Sequence, residues 1–305
     1  MRQWKLHRLL PALLLLLCTS TSWASKRSDI AILLSKDLPV YQRTLKALRK
    51  SLDRRHAVSV FTLRGDALAD RRMTNRLRSY PFDCMVTIGA KATHVGMKTR
   101  GSRHLICCMT LFTPSLHQSV DDKVHYVSYM PPGVLLAKHL KELTPKRKRV
   151  GVFWHDEALS TLVDEYKVAF EKAGLTFTVE KLKDARTIPK ELKTLSRNID
   201  TFLLLPEPLL LQKETLRHLL LHLLQNEKPV FTFSPGLVKA GALFSLSYPT
   251  NDVGRHVAAM VEDCVNGLKP KSEIANPKLS INERVANFLK IKIREPSLDH
   301  PKTAP

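Results

Sequence analysis

Short apolar segments and amphipathic segments alternate along most of this chain. The first apolar segment, residues 29–35 (DIAILLS), is almost continuously hydrophobic, as expected for a strand whose parallel sheet is covered by helices on both faces. The segment after it begins with a proline and carries Leu45, Leu48 and Leu52 at helical spacing. Such alternation predicts βαβ units, and therefore an α/β fold with parallel sheets.

The alternation occurs in two series, which predicts two Rossmann-like lobes. Strands of the first series are expected at 29–35, 56–63, 83–88, 104–111 and 123–129, and strands of the second at 149–154, 175–181, 199–205 and 229–233. A seam between the series is expected at 144–148. After a further strand at 242–248, a helix at 251–265 does not simply continue the second series.

The N-terminal segment has the features of a secretory signal peptide. A basic start precedes an apolar run at 9–18, and Ser-Trp-Ala at 22–24 offers small residues for a signal peptidase. The run is about half the ~20 residues that span a bilayer. We expect residues 1–24 to be removed after Ala24 and the protein to reach the periplasm. Lipidation at Cys18 is the less favoured alternative, because Leu17 is larger than the residue usual there.

The chain is strongly basic, with 49 Lys and Arg against 28 Asp and Glu and a formal net charge of +21. A surplus of this size attracts polyanions. The basic residues are scattered, however, and the tightest run, 146–149, has no interleaved aromatic residues for base stacking. We therefore expect a solvated basic surface and no nucleic-acid partner.

Four cysteines follow the N-terminal segment: Cys84, Cys107, Cys108 and Cys264. The first three lie in apolar strand patterns, where cysteine is commonly a small buried hydrophobe. No CxxC motif and no Cys/His ligand spacing occurs, so no metal site is expected. A disulfide from Cys84 to Cys107 or Cys108 stays open, since an oxidising compartment permits one.

Ligands of open parallel sheets bind beyond the carboxyl ends of the strands, where helix N-termini present unpaired N–H groups. This rule gives a set of candidate ligand-binding residues at the predicted strand ends. They are Ser35, Asp37, Gly89, Ala90, Lys91, Thr110, Phe112, Trp154, Asp156, Glu207, Ser234 and Tyr248.

A zwitterionic ligand needs amide or hydroxyl donors for its carboxylate and an acid for its ammonium group. The loop after Gly89 is expected to supply amides. Glu207, which lies between two prolines, is the preferred acid, with Asp156 and Asp37 as alternatives. Trp154 or Phe112 is expected to stack on the ligand body. Structural roles compete for several of these side chains: Glu207 at a helix dipole, Trp154 in a core and Tyr248 in hinge packing.

Four blocks carry a resemblance to a known family. They are DCMVTIGAKAT (83–93), HLICCMTLFTP (104–114), RVGVFWHDEALSTLVDEYKVAFEKAGL (149–175) and KPVFTFSPGLVKAGALFSLSYPTNDVGRHVAAMVEDCVNGLKP (228–270). Together they resemble the ABC-transporter substrate-binding proteins of the aromatic and branched amino-acid type, which have the type I periplasmic binding protein fold. The resemblance implies three hinge crossovers between the lobes. The lobes would be 25–146 plus 247–273, and 147–246 plus 274–305.

The resemblance implies a binding protein without catalysis or cofactor, monomeric, that closes on a small polar or zwitterionic, amino-acid-like ligand and delivers it to a membrane permease. A sensor that signals to a membrane receptor uses the same fold and remains an alternative. No GxSxG or HExxH motif indicates an enzyme. The chain departs from the family at 207–209, where a polar turn is usual, and it lacks an acid beside Ser234, so the ligand stays open.

Overall fold

The computed structural model describes residues 27–111, 121–272, 274 and 277–292. These residues form two β-sheets with helices packed on their faces. None of the helices in the described part of the chain is long and apolar enough to cross a membrane.

The first sheet has five parallel strands in the order β2-β1-β3-β4-β5. The strands are β1 (Asp29–Leu34), β2 (Ala57–Thr62), β3 (Cys84–Ile88), β4 (His104–Thr110) and β5 (Val124–Ser128). The helices that connect them include α1 (Pro39–Leu52), α2 (Ala67–Ser79) and α3 (Ala90–Thr99). β1 and β3 are buried along almost their whole length, as the continuous apolar runs predict.

The second sheet repeats this order as β7-β6-β8-β9-β10 and adds β11, which pairs antiparallel with β10. Its strands are β6 (Arg149–Trp154), β7 (Thr176–Lys181), β8 (Thr201–Leu204), β9 (Val230–Thr232), β10 (Phe244–Ser247) and β11 (Lys278–Ile281). The remaining helices are α4 (Gly133–Leu143), α5 (Ser160–Lys172), α6 (Ile188–Asn198), α7 (Lys213–Gln225), α8 (Pro235–Lys239), α9 (Thr250–Val265) and α10 (Glu283–Phe288). The prediction of two α/β sheets flanked by helices is confirmed.

α9 follows a strand of the second sheet but packs against the first. Val253, Val257 and Val261 belong to the same buried cluster as Leu45 and Leu48 of α1. The chain then returns to the second sheet as β11. With the passage between β5 and β6, the chain therefore crosses between the sheets three times.

α4 packs on the second sheet, although the lobe boundary expected from the sequence would place it in the first lobe. Leu136, Leu140 and Leu143 are buried in the core of the second sheet, together with Tyr166 and Phe170 of α5. The seam expected at 144–148, and the lobe boundary after residue 146, assigned this helix to the first lobe. The structure instead makes the crossing before Gly133, because the apolar side of α4 faces α5. Where the strand and helix pattern restarts is therefore not where the chain changes sheets.

Gly254 permits the close approach of α9 to α1. A Cβ atom there would lie 2.6 Å from the Thr44 carbonyl oxygen and 3.0 Å from the Leu48 nitrogen. Both are main-chain atoms, so the helices would have to separate.

We expect Gly254→Ala to lower the free energy of unfolding by about 1–3 kcal/mol, the usual cost of overpacking. Gly236→Ala is the matched control, since its Cβ would meet only the Ser234 hydroxyl at 3.5 Å. Urea denaturation of both variants measures the difference. Equal midpoints for the two variants would contradict close packing at Gly254.

Candidate ligand-binding site

Ser35 and Gly89 lie together at the carboxyl edge of the first sheet. The Ser35 hydroxyl accepts a hydrogen bond from the Ala92 amide, 2.8 Å away, in the first turn of α3. Gly89 has φ +92°, and a Cβ there would lie 2.7 Å from Ser35 Oγ and 2.6 Å from the Tyr41 hydroxyl. Glycine is required here both for its left-handed backbone and for space. Ala90 and Lys91 follow as exposed residues at the start of α3.

Three aromatic residues that the sequence did not single out extend from this edge toward the second sheet. The Tyr41 hydroxyl lies beside Gly89, and burial, followed by the effect of Cys108, raises the pKa of Tyr41. Burial, followed by the effect of Tyr41, raises the pKa of Tyr129. The Tyr129 ring meets the Phe233 ring edge-on, with centroids 5.9 Å apart. The sequence analysis assigned none of these three residues to the ligand-binding site.

Thr110 ends β4 as a buried residue. The pairing of β4 with β5 is irregular between Cys107 and Thr110, and Met109 adopts φ +53°. A non-glycine residue in this region carries strain, which is often found next to functional sites. This irregular backbone lies at the end of β4, at the same edge of the first sheet as Ser35 and Gly89.

Two further candidates, Asp37 and Tyr248, have surroundings that differ from those of Ser35 and Gly89. Asp37 is exposed and accepts a hydrogen bond from Gln42 at 2.8 Å. Phe112 lies outside the described residues. Tyr248, at the second crossing, is 9 % exposed and packs in the core of the first sheet, which agrees with the structural role considered for it.

The carboxyl edge of the second sheet contains a cavity of about 900 Å³ beyond β6, β7 and β8. Six of its nine lining residues have polar or charged side chains. The lining residues are His155, Asp156, Glu157, Lys181, Leu182, Lys183, Glu207, Pro208 and Leu209. A cavity of this size is typical of small-molecule sites.

Glu207 is the most buried polar residue of this edge, with 0 % exposure. Its Oε2 atom accepts hydrogen bonds from the amides of His155 (2.7 Å) and Asp156 (3.0 Å). Its Oε1 atom accepts one from the Leu209 amide at 3.1 Å. The carboxylate therefore ties the loop after β6 to the loop after β8. In this arrangement the backbone occupies both oxygens, so Glu207 shapes the cavity and does not face a ligand ammonium group as the sequence analysis preferred.

Asp156 is, with Glu157, one of two exposed acids that line the cavity. One of its oxygens accepts a hydrogen bond from the Ala158 amide at 3.0 Å, which caps a short 3₁₀ turn. Nearby, Lys181 and Glu157 form an ion pair. Lys183 completes a wall that carries both signs of charge.

Trp154 and Ser234 have local partners at the same edge. The Lys181 ammonium lies 4.6 Å from the centroid of the Trp154 ring, and the half-buried ring packs against the core of the second sheet. The Ser234 hydroxyl accepts a hydrogen bond from the Gly236 amide at 3.2 Å and caps α8.

Two parallel sheets joined by three crossings, with polar clusters at their carboxyl edges, define the class of two-lobed ligand-binding proteins. The family model described as "ABC transporter substrate binding protein" matches residues 123–304, more than half of the chain. The chain therefore belongs to the ABC transporter substrate-binding protein family. This is a family of binding proteins and not of enzymes.

Solved structures share the fold at low sequence identity. An ABC domain from Streptococcus pneumoniae in complex with L-Trp is 20 % identical, with a TM-score of 0.68 over 88 % of this chain and 96 % of that one. A ligand-free, open substrate-binding protein with adhesive properties from Clostridium difficile is 16 % identical, with a TM-score of 0.74 over 88 % and 97 %. A glucose-galactose binding protein from Geobacillus stearothermophilus is 13 % identical, with a TM-score of 0.61 over 85 % and 99 %. No curated protein matches the chain.

We expect Glu207→Ala to destabilise the second sheet's loops, because it leaves the amides of His155, Asp156 and Leu209 without their carboxylate acceptor. The free energy of unfolding should fall by about 3 kcal/mol, given the strength of hydrogen bonds to a charged group. Glu180→Ala, at an exposed position of β7, is the control and should stay within about 0.5 kcal/mol. Chemical denaturation measures both, and a variant as stable as the control would show that Glu207 does not hold these loops.

Proposed function

We propose that this protein is the extracytoplasmic binding component of an ABC uptake system and captures a small zwitterionic, amino-acid-like ligand between two lobes. The observation that carries the proposal is that each sheet has a polar carboxyl edge, one built around Gly89 and one around the cavity at Asp156. The chain that carries these two edges crosses three times between its sheets. The lobes we propose comprise, among the described residues, 27–111, 121–130 and 248–272 for the first, and 131–247 and 277–292 for the second.

The first lobe supplies the recognition of the ligand carboxylate. The first turn of α3 presents backbone amides and the positive end of the helix dipole. Gly89 lets a ligand approach the backbone closely, and the Tyr41 hydroxyl lies beside it. The exposed Lys91 adds positive charge at the same turn.

The second lobe supplies the recognition of the ammonium group. Asp156 is the acid assigned to this role, because it lines the cavity and is exposed, while Glu207 is bonded to three backbone amides. The Glu157–Lys181 pair and Lys183 contribute polar contacts to the remainder of the ligand.

The aromatic contact of Tyr129 with Phe233 supports a role in closure. It joins a residue after β5 of the first lobe to a residue after β9 of the second. Rotation of the lobes changes this contact, so ligand binding and lobe orientation are coupled there. The bound ligand shifts the population toward the closed form by its differential affinity for that form.

The cellular setting follows from the N-terminal segment and the family. We propose export by the segment 1–24, action as a monomer in the periplasm, and release of the ligand to a membrane permease. The L-Trp complex of the Streptococcus pneumoniae protein agrees with an amino-acid ligand. We infer a zwitterionic ligand for this protein because the proposed site has positive charge in one lobe and an acid in the other.

A thermal-shift screen of the purified chain from residue 25 onward tests the ligand class. L-amino acids, sugars, nucleosides and dicarboxylates form the panel. A matching ligand should raise the melting temperature, since a ligand at a hundred times its Kd adds about 2.7 kcal/mol to the stability of the folded form. We expect the shift from an amino acid and none from a sugar. A shift from sugars alone would overturn the zwitterionic assignment.

Asp156→Asn tests the ammonium contact for whichever amino acid the screen identifies. Asparagine retains the cap of the 3₁₀ turn but removes the charge, so affinity should fall more than tenfold, or about 1.4 kcal/mol. Asp164→Asn, at an exposed position of α5, is the control with the same charge change. Isothermal titration of both variants measures Kd, and equal affinities would exclude Asp156 from the site.

A further inference from the structure

Three metal-ligating side chains, His104, His125 and Cys264, meet at the amino edge of the first sheet, away from the candidate ligand-binding edge, and the Cys84 thiol is hydrogen-bonded to Cys264 there. Cys84 begins β3, His104 begins β4 and His125 is the second residue of β5. Cys84 pairs with His104, and His125 pairs with Ile106. Because alternate residues of a strand share a face, Cys84, His104 and His125 project to the same side of the sheet. α9 packs on that side and brings Cys264 to them.

The ligand atoms are close enough to share one ion. One nitrogen of each of the two imidazoles and the Cys264 sulfur all lie within 4.8 Å of one another. His104 Nδ1 and His125 Nε2 are 3.4 Å apart, and the rings stack at 13°. In a tetrahedral site with bonds of about 2.0–2.3 Å, ligand atoms are roughly 3.5 Å apart. Small side-chain rotations therefore complete the geometry.

A second thiol adjoins these three groups. The Cys84 thiol donates a hydrogen bond to the Cys264 sulfur, so a further sulfur lies next to the cluster. Thiolate sulfur is the form of cysteine that binds metals, and the cluster therefore offers sulfur and imidazole nitrogen as ligand atoms.

We propose that Cys264, His104 and His125 bind one Zn²⁺ or Cu⁺ ion, with Cys84 as the fourth ligand. Both ions accept mixed thiolate and imidazole ligands, whereas Mg²⁺ and Ca²⁺ prefer oxygen. Binding displaces the thiol protons to solvent as the sulfurs coordinate the ion. The absence of a ligand spacing in the sequence had argued against any metal site. The ligands come instead from four elements that the fold brings together.

A path from solvent reaches the cluster. Cys264 is 4 % exposed and lines a cavity of about 860 Å³. The carboxylates of Asp83 and Glu262 also line it, as do the Arg54 and Arg55 guanidinium groups, and Glu262 pairs with Arg55. His125 is 7 % exposed, so the bound ion itself would be shielded from water.

The ion would fasten α9 to the sheet. α9 reaches the first lobe only after the chain has passed through the second, and the ligands at 125 and 264 therefore close a long loop. We expect metal binding to stabilise the first lobe, because a site formed only in the folded chain adds its binding energy to folding.

Metal titration of the reduced protein tests the proposal independently of any transport ligand. Co²⁺ replaces Zn²⁺ as a spectroscopic probe and should give one equivalent of tetrahedral d–d bands with a thiolate charge-transfer band. Titration with Cu⁺ under anaerobic conditions is the parallel arm, and the metal content of the protein purified from its exporting host distinguishes the two ions, because raw affinity alone does not set metal selectivity. Zn²⁺ or Cu⁺ should also raise the melting temperature.

Two single variants and a matched control complete the test. Cys264→Ala should weaken metal binding and reduce the intensity of the charge-transfer band, since only the Cys84 sulfur is left. His125→Gln should weaken binding by more than about tenfold, which is the lower end of the cost of losing a residue that merely supports a ligand. Cys108→Ala removes a buried thiol of β4 that is absent from the cluster and should leave binding unchanged. Lack of binding by the wild-type protein, binding unchanged in Cys264→Ala, or a Cys84–Cys264 disulfide in the exported protein would overturn the proposal. None of these results bears on ligand binding at the opposite edge.

Discussion

The contact between α1 and α9 determines how the two halves of this chain are joined. α9 lies in sequence between two strands of the second sheet, β10 and β11, yet its buried side belongs to the first. The absence of a side chain at Gly254 lets the helix axes approach until a Cβ would collide with the main chain of α1. Since this packing holds α9 on the first sheet, the chain must cross between the sheets before and after the helix. The close packing of two helices thereby fixes the arrangement of two lobes.

The candidate site depends on the difference between a buried carboxylate and an exposed one. Glu207 has been removed from water and is compensated by three amides, because burying an uncompensated charge is costly. It therefore organises two loops. Asp156 receives one amide and reaches the cavity. The two acids therefore have different roles at the same edge of the sheet. Burial and hydrogen bonding to the backbone determine which of them is accessible to a cation.

The sequence predicted the sheets well because β1 and β3 are buried on both faces, and their apolar runs reflect that burial directly. It also located the edges that carry Gly89 and Asp156, since strand ends follow from strand positions. It misjudged α4, because a helix's apolar stripe does not say which sheet it covers. It did not single out Tyr41 and Tyr129 either, because their position beside Gly89 and Phe233 depends on how the chain folds and not on the local pattern.

The cluster of cysteines and histidines shows the limit of spacing arguments most clearly. Cys84, His104, His125 and Cys264 lie on four elements, and no local motif links them. Their proximity follows from strand register and from the return of α9, neither of which a linear pattern contains. A spacing rule detects sites built on one turn or hairpin, and it is uninformative about sites assembled by topology.

The hydrogen bond from the Tyr166 hydroxyl to the Pro131 carbonyl, 2.7 Å long and buried, has a mechanical consequence. It anchors the first connecting segment to the second lobe immediately before α4. Ser128, on the other side, donates its hydroxyl to the Met130 carbonyl at 2.7 Å. Hydrogen bonds thus restrain both ends of this short connection, and any rotation of the lobes would have to occur within a few residues of it.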